Sequence, residues 1–262
     1  MYPYPIFFGL TLYDILLAVA VVTAMLLCDK MIQKRNFSNA LQKLVIVGIL
    51  LCVVLGFGSA VLFQAFYNFM DTGTFELADN TGMTFFGGLI GGAGVFLLVW
   101  FLGGKLCLKG ENTGEEKRKF KDMLDIAACC VPLAHAIGRL GCFFAGCCYG
   151  RITDAWYGVY IRFTQTSLIK VFPIPLFESI FLFVLSAVLL WLFFKKPSAL
   201  PLMPVYCGAY GIWRFIIEYF RGDDRGATIV SFLSPSQLVS LILITISIVY
   251  FILWFRKRKT EK

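Results

Sequence analysis

Long apolar segments separated by short polar loops dominate the pattern along this chain. Seven segments stay apolar over about 20 residues, the length that a helix needs to cross a bilayer. They cover approximately Gly9–Leu27, Leu41–Tyr67, Met83–Leu102, Met123–Cys147, Pro175–Phe194, Leu200–Phe220 and Pro235–Phe255. The pattern therefore predicts an all-α fold, a polytopic bundle of seven transmembrane helices that forms a single integral membrane domain over residues 1–262.

Composition leads to the same class of protein. Of the 262 residues, 59% are hydrophobic and 15% are charged, whereas soluble domains have about 25% charged residues. The N-terminal region has neither a basic stretch nor a small-residue cleavage site, so no removable signal peptide is expected. We expect a multi-pass protein of a cell membrane, surrounded by membrane lipids.

The distribution of positive charge predicts the orientation. Lysine and arginine concentrate in alternate loops and in the tail: Lys30, Lys34, Arg35 and Lys43; Lys105, Lys109, Lys117, Arg118, Lys119 and Lys121; Lys195 and Lys196; Arg256, Lys257, Arg258, Lys259 and Lys262. The loop Asn68–Gly82 contains none of these residues and three acidic ones. The positive-inside rule then places the N-terminus outside and the C-terminus in the cytoplasm. It also accounts for the net charge of +8 without nucleic acid as a partner.

Charged side chains within the apolar segments are the candidates for function. His135, Arg139 and Cys142 are spaced i, i+4 and i+7, so they share one face of the fourth helix. An arginine at membrane depth is costly unless it faces a partner or a polar cavity. Asp14, Glu178 and Glu218 are its possible counter-charges, because the predicted topology brings their helix ends to the same outer side.

The sixth segment carries a second charged face, with Arg214 and Glu218 spaced i, i+4 and Arg221 at i+7. Two interpretations remain open: Arg214 and Glu218 form a purely structural ion pair, or they belong to a site together with Arg139. Two arginines beside carboxylates suit an anionic head group, because a guanidinium group binds two phosphate oxygens at once.

Glycines and cysteines allow further alternatives. The glycines of residues 87–94 indicate either a helix-packing face or a groove for a lipid chain. The chain has nine cysteines, and most of them are expected to be small packing residues. Cys142, Cys147 and Cys148 lack the C-x-x-C spacing of zinc sites, so neither a metal nor a cofactor is predicted. A reactive Cys142 beside His135 is a further alternative.

These motifs resemble the bacterial prolipoprotein diacylglyceryl transferase family, whose signature reads G-R-x-G-N-F-x-N-x-E-x-x-G. The stretch Gly138–Gly150, GRLGCFFAGCCYG, aligns with it, and residues 210–221 align with the family's sixth segment. Weaker matches are Tyr13, Asp125, Phe177 with Glu178, Gly87–Gly91, and Gln237 with Ser240.

The resemblance implies an enzyme of the bacterial cytoplasmic membrane. Its expected partners are phosphatidylglycerol, whose diacylglyceryl group is transferred, and a preprolipoprotein, whose lipobox cysteine thiol receives that group while glycerol phosphate leaves. Matching positions imply that Arg139 holds the lipid phosphate and that Arg214 is catalytic. The remaining positions carried over as site residues are Tyr13, Gly150, Glu178, Tyr210 and Glu218.

Several residues depart from the family pattern. Cys142 and Ala145 stand where the signature has asparagine, Cys147 stands at its glutamate, and Phe86 replaces the histidine before the two glycines of the third segment. We therefore hypothesise that His135, the single histidine of the chain, supplies the general base or proton relay. The departures leave two alternatives: a divergent glycerolipid transferase with another acceptor, and a non-catalytic lipid-binding protein.

Overall fold

The computed structural model of the protein describes residues 4–6, 8–73, 85–108, 113–162, 167–195, 200–222 and 233–260. The contacts divide the chain into two compact units, which are described separately. One unit comprises Met1–Cys28 and Leu124–Lys262, and the other comprises Asp29–Met123. The expected acidic residues of the loop Asn68–Gly82 and most of the charged loop after the third helix lie outside the described residues or have undescribed side chains.

Helices account for about four fifths of the described residues, which confirms the predicted all-α class. They are α1 (Leu12–Lys34), α2 (Asn39–Thr72), α3 (Phe85–Leu98), α4 (Gly104–Cys107), α5 (Thr113–Ala145), α6 (Ile174–Lys195), α7 (Leu202–Ile217) and α8 (Pro235–Thr260). A π-helical segment, Val99–Gly103, joins α3 to α4. Six stretches within these helices are long and apolar enough to cross a membrane, so the protein is a polytopic membrane bundle.

The sixth predicted span is shorter than expected. Helix α7 has only 16 residues, and a 3₁₀ turn, Glu218–Phe220, follows it. Arg221 then adopts an extended backbone with φ −77° and ψ 148°. The prediction that Arg214, Glu218 and Arg221 share one continuous helix face is therefore wrong for Arg221, which lies beyond the helix.

A two-stranded antiparallel sheet lies in the connection between α5 and α6, where the sequence predicted only a loop. Its strands are β1 (Val159–Arg162) and β2 (Leu168–Val171), and Val159 pairs with Val171 at the open end of the hairpin. Ile161 and Val171 are buried. The residues of β1, VYIR, alternate between inward apolar and outward polar positions, whereas those of β2, LIKV, do not, so the sequence carries only a weak strand signal here.

Small residues let α2 and α3 approach closely in the unit Asp29–Met123. A Cβ atom added at Gly88 would lie 3.4 Å from the Cβ of Ala60, and one added at Gly87 or Gly91 would overlap the side chains of Phe63 and Ser59. The hydroxyl of Ser59 donates a hydrogen bond to the carbonyl oxygen of Gly87 at 2.9 Å. These contacts favour the helix-packing interpretation of the glycines over a lipid groove.

Buried hydroxyl groups join the helices of the other unit. Ser179 and Ser186 on α6 donate to the carbonyl oxygens of Ala136 and Cys129 on α5, at 2.8 and 3.2 Å. Ser247 on α8 donates to the carbonyl oxygen of Pro204 on α7 at 2.8 Å. Such bonds hold helices together in a membrane, where apolar burial alone favours protein contacts little over lipid contacts.

Asp125 caps the start of α7, because its Oδ1 accepts a hydrogen bond from the backbone N–H of Leu202 at 2.8 Å. Its carboxyl group is buried. Asp125 precedes Arg139 by 14 residues on α5, which is about 21 Å along a helix. Its match to the family pattern therefore reflects a structural position far from Arg139.

The Asp125→Ala variant should lower the free energy of unfolding by about 1–3 kcal/mol, because it leaves a buried N–H group without its acceptor. Thermal unfolding in detergent micelles measures the loss. Asp122→Ala, one turn earlier, is the matched control, since its 3.5 Å pair with Arg35 is partly exposed and such pairs contribute little. Equal shifts for both variants would contradict the capping role.

Candidate functional site

Glu178 is the centre of a buried polar cluster. It lies one turn after the start of α6, and its side chain is fully buried. Its Oε2 forms an ion pair with Nη2 of Arg139, and its Oε1 accepts a hydrogen bond from the hydroxyl of Tyr210 at 3.1 Å. Nε2 of His135 lies 3.9 Å from the same Oε1. One carboxylate therefore contacts side chains from both α5 and α7.

Helical spacing explains why these side chains converge. His135 and Arg139 are one turn apart on α5, and Tyr210 and Arg214 are one turn apart on α7. The ring of Tyr210 meets that of His135 edge-on with centroids 5.4 Å apart, and Tyr206 stacks on Tyr210 at 5.9 Å. The sequence analysis missed Tyr206, which lies one turn before Tyr210 on the same face.

Arg214 is held by two partners from different elements. Its Nη2 lies 2.9 Å from Oε2 of Glu218 and donates to the hydroxyl of Ser236 at 2.8 Å. The hydroxyl of Ser234 donates to Oε1 of Glu218 at 2.9 Å. The ion pair of the structural interpretation is thus present, between α7 and the 3₁₀ turn that follows it, and two serines at the start of α8 also bind it. Isolated serines are common at helix starts, so nothing in the chain's pattern marks Ser234 and Ser236 as site residues.

Two guanidinium nitrogens in this cluster have no hydrogen-bond partner among the described residues. They are Nε of Arg139 and Nη1 of Arg214, and both atoms are buried. The side chains of these residues are only 13% and 10% exposed. Because buried donors are nearly always satisfied in folded proteins, these two groups can donate to water or to the acceptor oxygens of a ligand.

The end of α5 brings three cysteines together through its capping motif. Gly146 has φ 73°, its N–H donates to the carbonyl of Phe143 at 3.2 Å, and the N–H of Cys147 donates to that of Cys142 at 3.1 Å. This pair of bonds is the Schellman motif, in which the side chains at the positions of Cys142 and Cys147 meet. The Sγ atoms of Cys142, Cys147 and Cys148 lie within 4.8 Å of one another.

Two arginines act electrostatically on this cysteine cluster, which we define as Cys142, Cys147 and Cys148. Hydrogen bonds with Cys142 and Cys147 lower the pKa of the Cys148 thiol, and the charges of Arg139 and Arg221 lower it further against the opposing effect of burial. Hydrogen bonds with Cys142 and Cys148 raise the pKa of the Cys147 thiol, so Cys148 is the residue that carries the thiolate. The cluster can therefore hold a thiolate at a lower pH than an isolated cysteine.

Tyr13 lies beside the same end of α5. A Cβ atom added at Gly141 would lie 3.0 Å from Cδ2 of the Tyr13 ring, so the ring packs directly on the glycine. Asp14, the next residue, instead accepts hydrogen bonds from the N–H and hydroxyl of Thr11 at 2.9 and 2.7 Å, and it is exposed. The structure thus places Tyr13 near the predicted site and gives Asp14 a local role at the start of α1.

Gly150 occupies a crowded position after the cysteine cluster. A Cβ atom there would lie 2.5 Å from the carbonyl oxygen of Phe220 and 3.0 Å from Cδ1 of Ile174. The N–H of Gly150 donates to the carbonyl of Phe172 at 2.8 Å, and the N–H of Arg151 donates to that of Phe220 at 2.9 Å. Only glycine allows the ends of α5, α6 and α7 to be joined this closely.

The structure therefore brings together most of the residues that the sequence singled out. Glu178 contacts His135, Arg139 and Tyr210. Arg214, one turn after Tyr210 on α7, contacts Glu218. Tyr13 and Gly150 flank the end of α5 that carries Arg139. Phe86 lies in α3, but its side chain is outside the described part of the chain. Arg139 and Arg214 are two buried arginines that each have an N–H group available for donation. Such groups can bind an anion and stabilise negative charge that develops during a reaction.

Comparisons with known proteins agree with this chemistry. The family model described as prolipoprotein diacylglyceryl transferase matches residues 4–253. A phosphatidylglycerol–prolipoprotein diacylglyceryl transferase of Clostridium tetani is 35% identical over 251 residues, which cover 93% of this chain and 94% of the relative. A Clostridium perfringens protein, phosphatidylglycerol–prolipoprotein diacylglyceryl transferase 2, is 32% identical over 251 residues, and the match covers 90% of this chain and 89% of the relative.

Proposed function

The chain belongs to the prolipoprotein diacylglyceryl transferase family and is a transferase, and from this premise we propose the reaction that it catalyses. It moves the diacylglyceryl group of phosphatidylglycerol to the lipobox cysteine thiol of a preprolipoprotein. The products are a thioether-linked lipoprotein precursor and glycerol phosphate. The relatives' names support both substrates.

The buried donors of Arg139 and Arg214 carry this proposal. Nε of Arg139 and Nη1 of Arg214 lack partners among the described residues, and a phosphodiester supplies two anionic oxygens that can accept from them. Glu178 holds Arg139 in place, and Ser236 and Glu218 hold Arg214. Because both side chains are already ordered, little conformational entropy is lost when the lipid binds.

The bond changes follow from the chemistry of the two substrates. The thiol sulfur attacks the glyceryl carbon that carries the phosphate ester, a carbon–sulfur bond forms, and the carbon–oxygen bond breaks with its electrons on oxygen. Glycerol phosphate leaves with one more negative charge than the diester had. The two positively charged guanidinium groups attract this added negative charge. They therefore stabilise the transition state more than they stabilise the bound lipid substrate.

His135 supplies the base in this proposal. Its imidazole lies beside Glu178 and Tyr210, within the cluster that holds the phosphate. A neutral imidazole accepts the thiol proton as the sulfur attacks. The family's histidine in the third segment aligns with Phe86 of this chain. His135 takes over the role of that histidine.

The proposed location is the outer face of the bacterial cytoplasmic membrane. The site residues lie at the ends of α5 and α7 and at the starts of α1, α6 and α8. The basic residues 256–259 lie at the opposite end of α8, where the positive-inside rule favours the cytoplasm.

A transfer assay with purified protein tests the reaction. The protein in phosphatidylglycerol vesicles is mixed with a lipobox peptide, and mass spectrometry follows the peptide. We expect the peptide to gain one diacylglyceryl group and glycerol phosphate to accumulate equally. A peptide with serine in place of the lipobox cysteine is the control. Release of glycerol phosphate without modification of the cysteine peptide would show a different acceptor and overturn the proposal.

The His135→Ala variant should lower the rate of transfer by about 10²-fold, the usual contribution of a positioned general base. Phe86→Ala, assayed in parallel, should change the rate by less than about 3-fold, since phenylalanine moves no proton. Initial rates over a range of pH measure both. If His135→Ala keeps full activity, the relay hypothesis is wrong, while the arginines' role stands.

A further inference from the structure

We propose that Cys142, Cys147 and Cys148 bind a zinc ion through three thiolates and leave its fourth position for the acceptor's thiol. This inference rests on the proposed function and deepens it, since it assigns a binding site to the second substrate. It also departs from the sequence-based expectation that the protein holds no metal.

The distances fit tetrahedral coordination. Zinc–sulfur bonds are about 2.3 Å long, so two sulfurs on a tetrahedral zinc are about 3.8 Å apart. The three Sγ atoms already lie within 4.8 Å of one another. Binding therefore requires each sulfur pair to close by at most about 1 Å, which side-chain rotation supplies.

The backbone builds the cluster without the C-x-x-C spacing of ordinary zinc sites. The Schellman cap turns the chain at Gly146 and brings Cys147 back over Cys142. Cys148 then has φ 60°, a left-handed conformation that costs a side-chain-bearing residue about 1–2 kcal/mol. That conformation places a third sulfur in the cluster, and residues held in such conformations concentrate at functional sites.

Charge and access favour a site open on one side. Arg139 lies one turn before Cys142 on α5, so a positive charge is close to the thiolates that would bind the metal. Cys142 and Cys148 are half-buried, whereas Cys147 is exposed. Three protein ligands with one side open are typical of catalytic zinc, while structural zinc has four protein ligands.

The step that this site assists is thiol alkylation. The acceptor's sulfur binds zinc as a thiolate, and its proton passes to His135, because a thiol that coordinates a metal is deprotonated. The bound sulfur attacks the glyceryl carbon, the carbon–sulfur bond forms, and glycerol phosphate departs with the electrons of the broken carbon–oxygen bond. The thioether product is neutral and leaves the zinc, which is not oxidised or reduced.

Metal content gives the first test. Protein purified without chelators or added metal should contain about one zinc per chain by mass spectrometry of the elements. Cys147→Ser and Cys148→Ser should each weaken zinc affinity by about 100-fold or more. Loss of a metal ligand lowers affinity at least as much as loss of a residue that hydrogen-bonds to a ligand, which costs up to about 100-fold. Cys52 lies on α2, outside the cysteine cluster, so the Cys52→Ser variant is the control and should contain as much zinc as the unmodified protein. Zinc that persists in both cluster variants would overturn the proposal, as would a disulfide between two cluster cysteines with no bound metal.

Cobalt substitution tests the open position without relying on catalysis. Cobalt(II) bound in place of zinc should show thiolate-to-metal charge-transfer absorption. This absorption should grow by about a third when the lipobox peptide adds a fourth thiolate, and should not change with the serine peptide. No response to the cysteine peptide would overturn the substrate role. If the cobalt absorption responds but no diacylglyceryl transfer occurs, the thiol-binding metal site is supported and the proposed reaction is refuted. If fully metal-free protein catalyses the transfer, the proposed reaction is supported and the metal site's role in it is refuted.

Discussion

Replacing Arg139 with glutamine should lower diacylglyceryl transfer by about 10³-fold, the upper part of the range for removing one preorganised donor to a developing charge. It should also lower the free energy of unfolding by about 3–5 kcal/mol, because the partner carboxylate becomes an uncompensated buried charge. Glu178 is that partner, and its side chain is fully buried. Initial rates and thermal unfolding measure the two effects.

The double variant Arg139→Gln with Glu178→Gln separates these effects. Removing both charges leaves no unpaired carboxylate, so we expect most of the lost stability to return while transfer stays low. Arg256→Gln is the control, since that arginine is exposed at the end of α8. If the double variant regains both stability and transfer, Arg139 acts only by balancing Glu178 and does not hold the phosphate.

The Arg214→Gln variant should reduce transfer by about 10²–10³-fold, chiefly through kcat, because a donor that opposes leaving-group charge acts in the transition state. Its effect on stability should be smaller than that of Arg139→Gln, since Glu218 keeps the hydrogen bond from Ser234. Measuring kcat and KM separately over a range of phosphatidylglycerol concentrations tests this.

Ser236→Ala is the matched variant for Arg214. It removes one hydrogen bond from Nη2 while leaving the 2.9 Å pair with Glu218. The expected loss in kcat is about 10-fold, the worth of one hydrogen bond to a charged group. A rise in KM with unchanged kcat for Arg214→Gln would show that Arg214 binds the lipid equally in the ground and transition states, against the role proposed for it.

The apolar pattern predicted the membrane helices well because each had to satisfy its own backbone within lipid. The pattern did not predict the structure of segments outside the lipid, where this constraint does not apply. The hairpin of β1 and β2 lies in the connection between α5 and α6, and its four-residue strands are too short for a hydropathy pattern to reveal. The end of α7 was placed too late because the apolar residues of the 3₁₀ turn, Tyr219 and Phe220, continue the pattern after the α-helix has ended.

Spacing along single helices predicted part of the candidate site. It placed His135 with Arg139 and Arg214 with Glu218, and it named Glu178 among the counter-charges of Arg139. It did not predict the bond from Tyr210 to Glu178 or from Arg214 to Ser236, because both join different helices. The sequence singled out Cys142, Cys147 and Cys148 but did not predict that their sulfurs converge, because C-x-x-C spacings describe metal-binding loops, while here a helix cap folds Cys147 back onto Cys142.

The shortness of α7 has a consequence for the lipid substrate. Arg214 is only 12 residues beyond the start of this helix at Leu202, a rise of about 18 Å, against a hydrocarbon thickness of about 30 Å. If α7 begins at one edge of the hydrocarbon core, the guanidinium group lies below the level at which lipid phosphates normally reside. A phosphatidylglycerol molecule must sink by several ångströms, or its leaflet must thin locally, before the two meet. Hydrophobic mismatch would thus draw the scissile ester away from bulk water before the thiol attacks it.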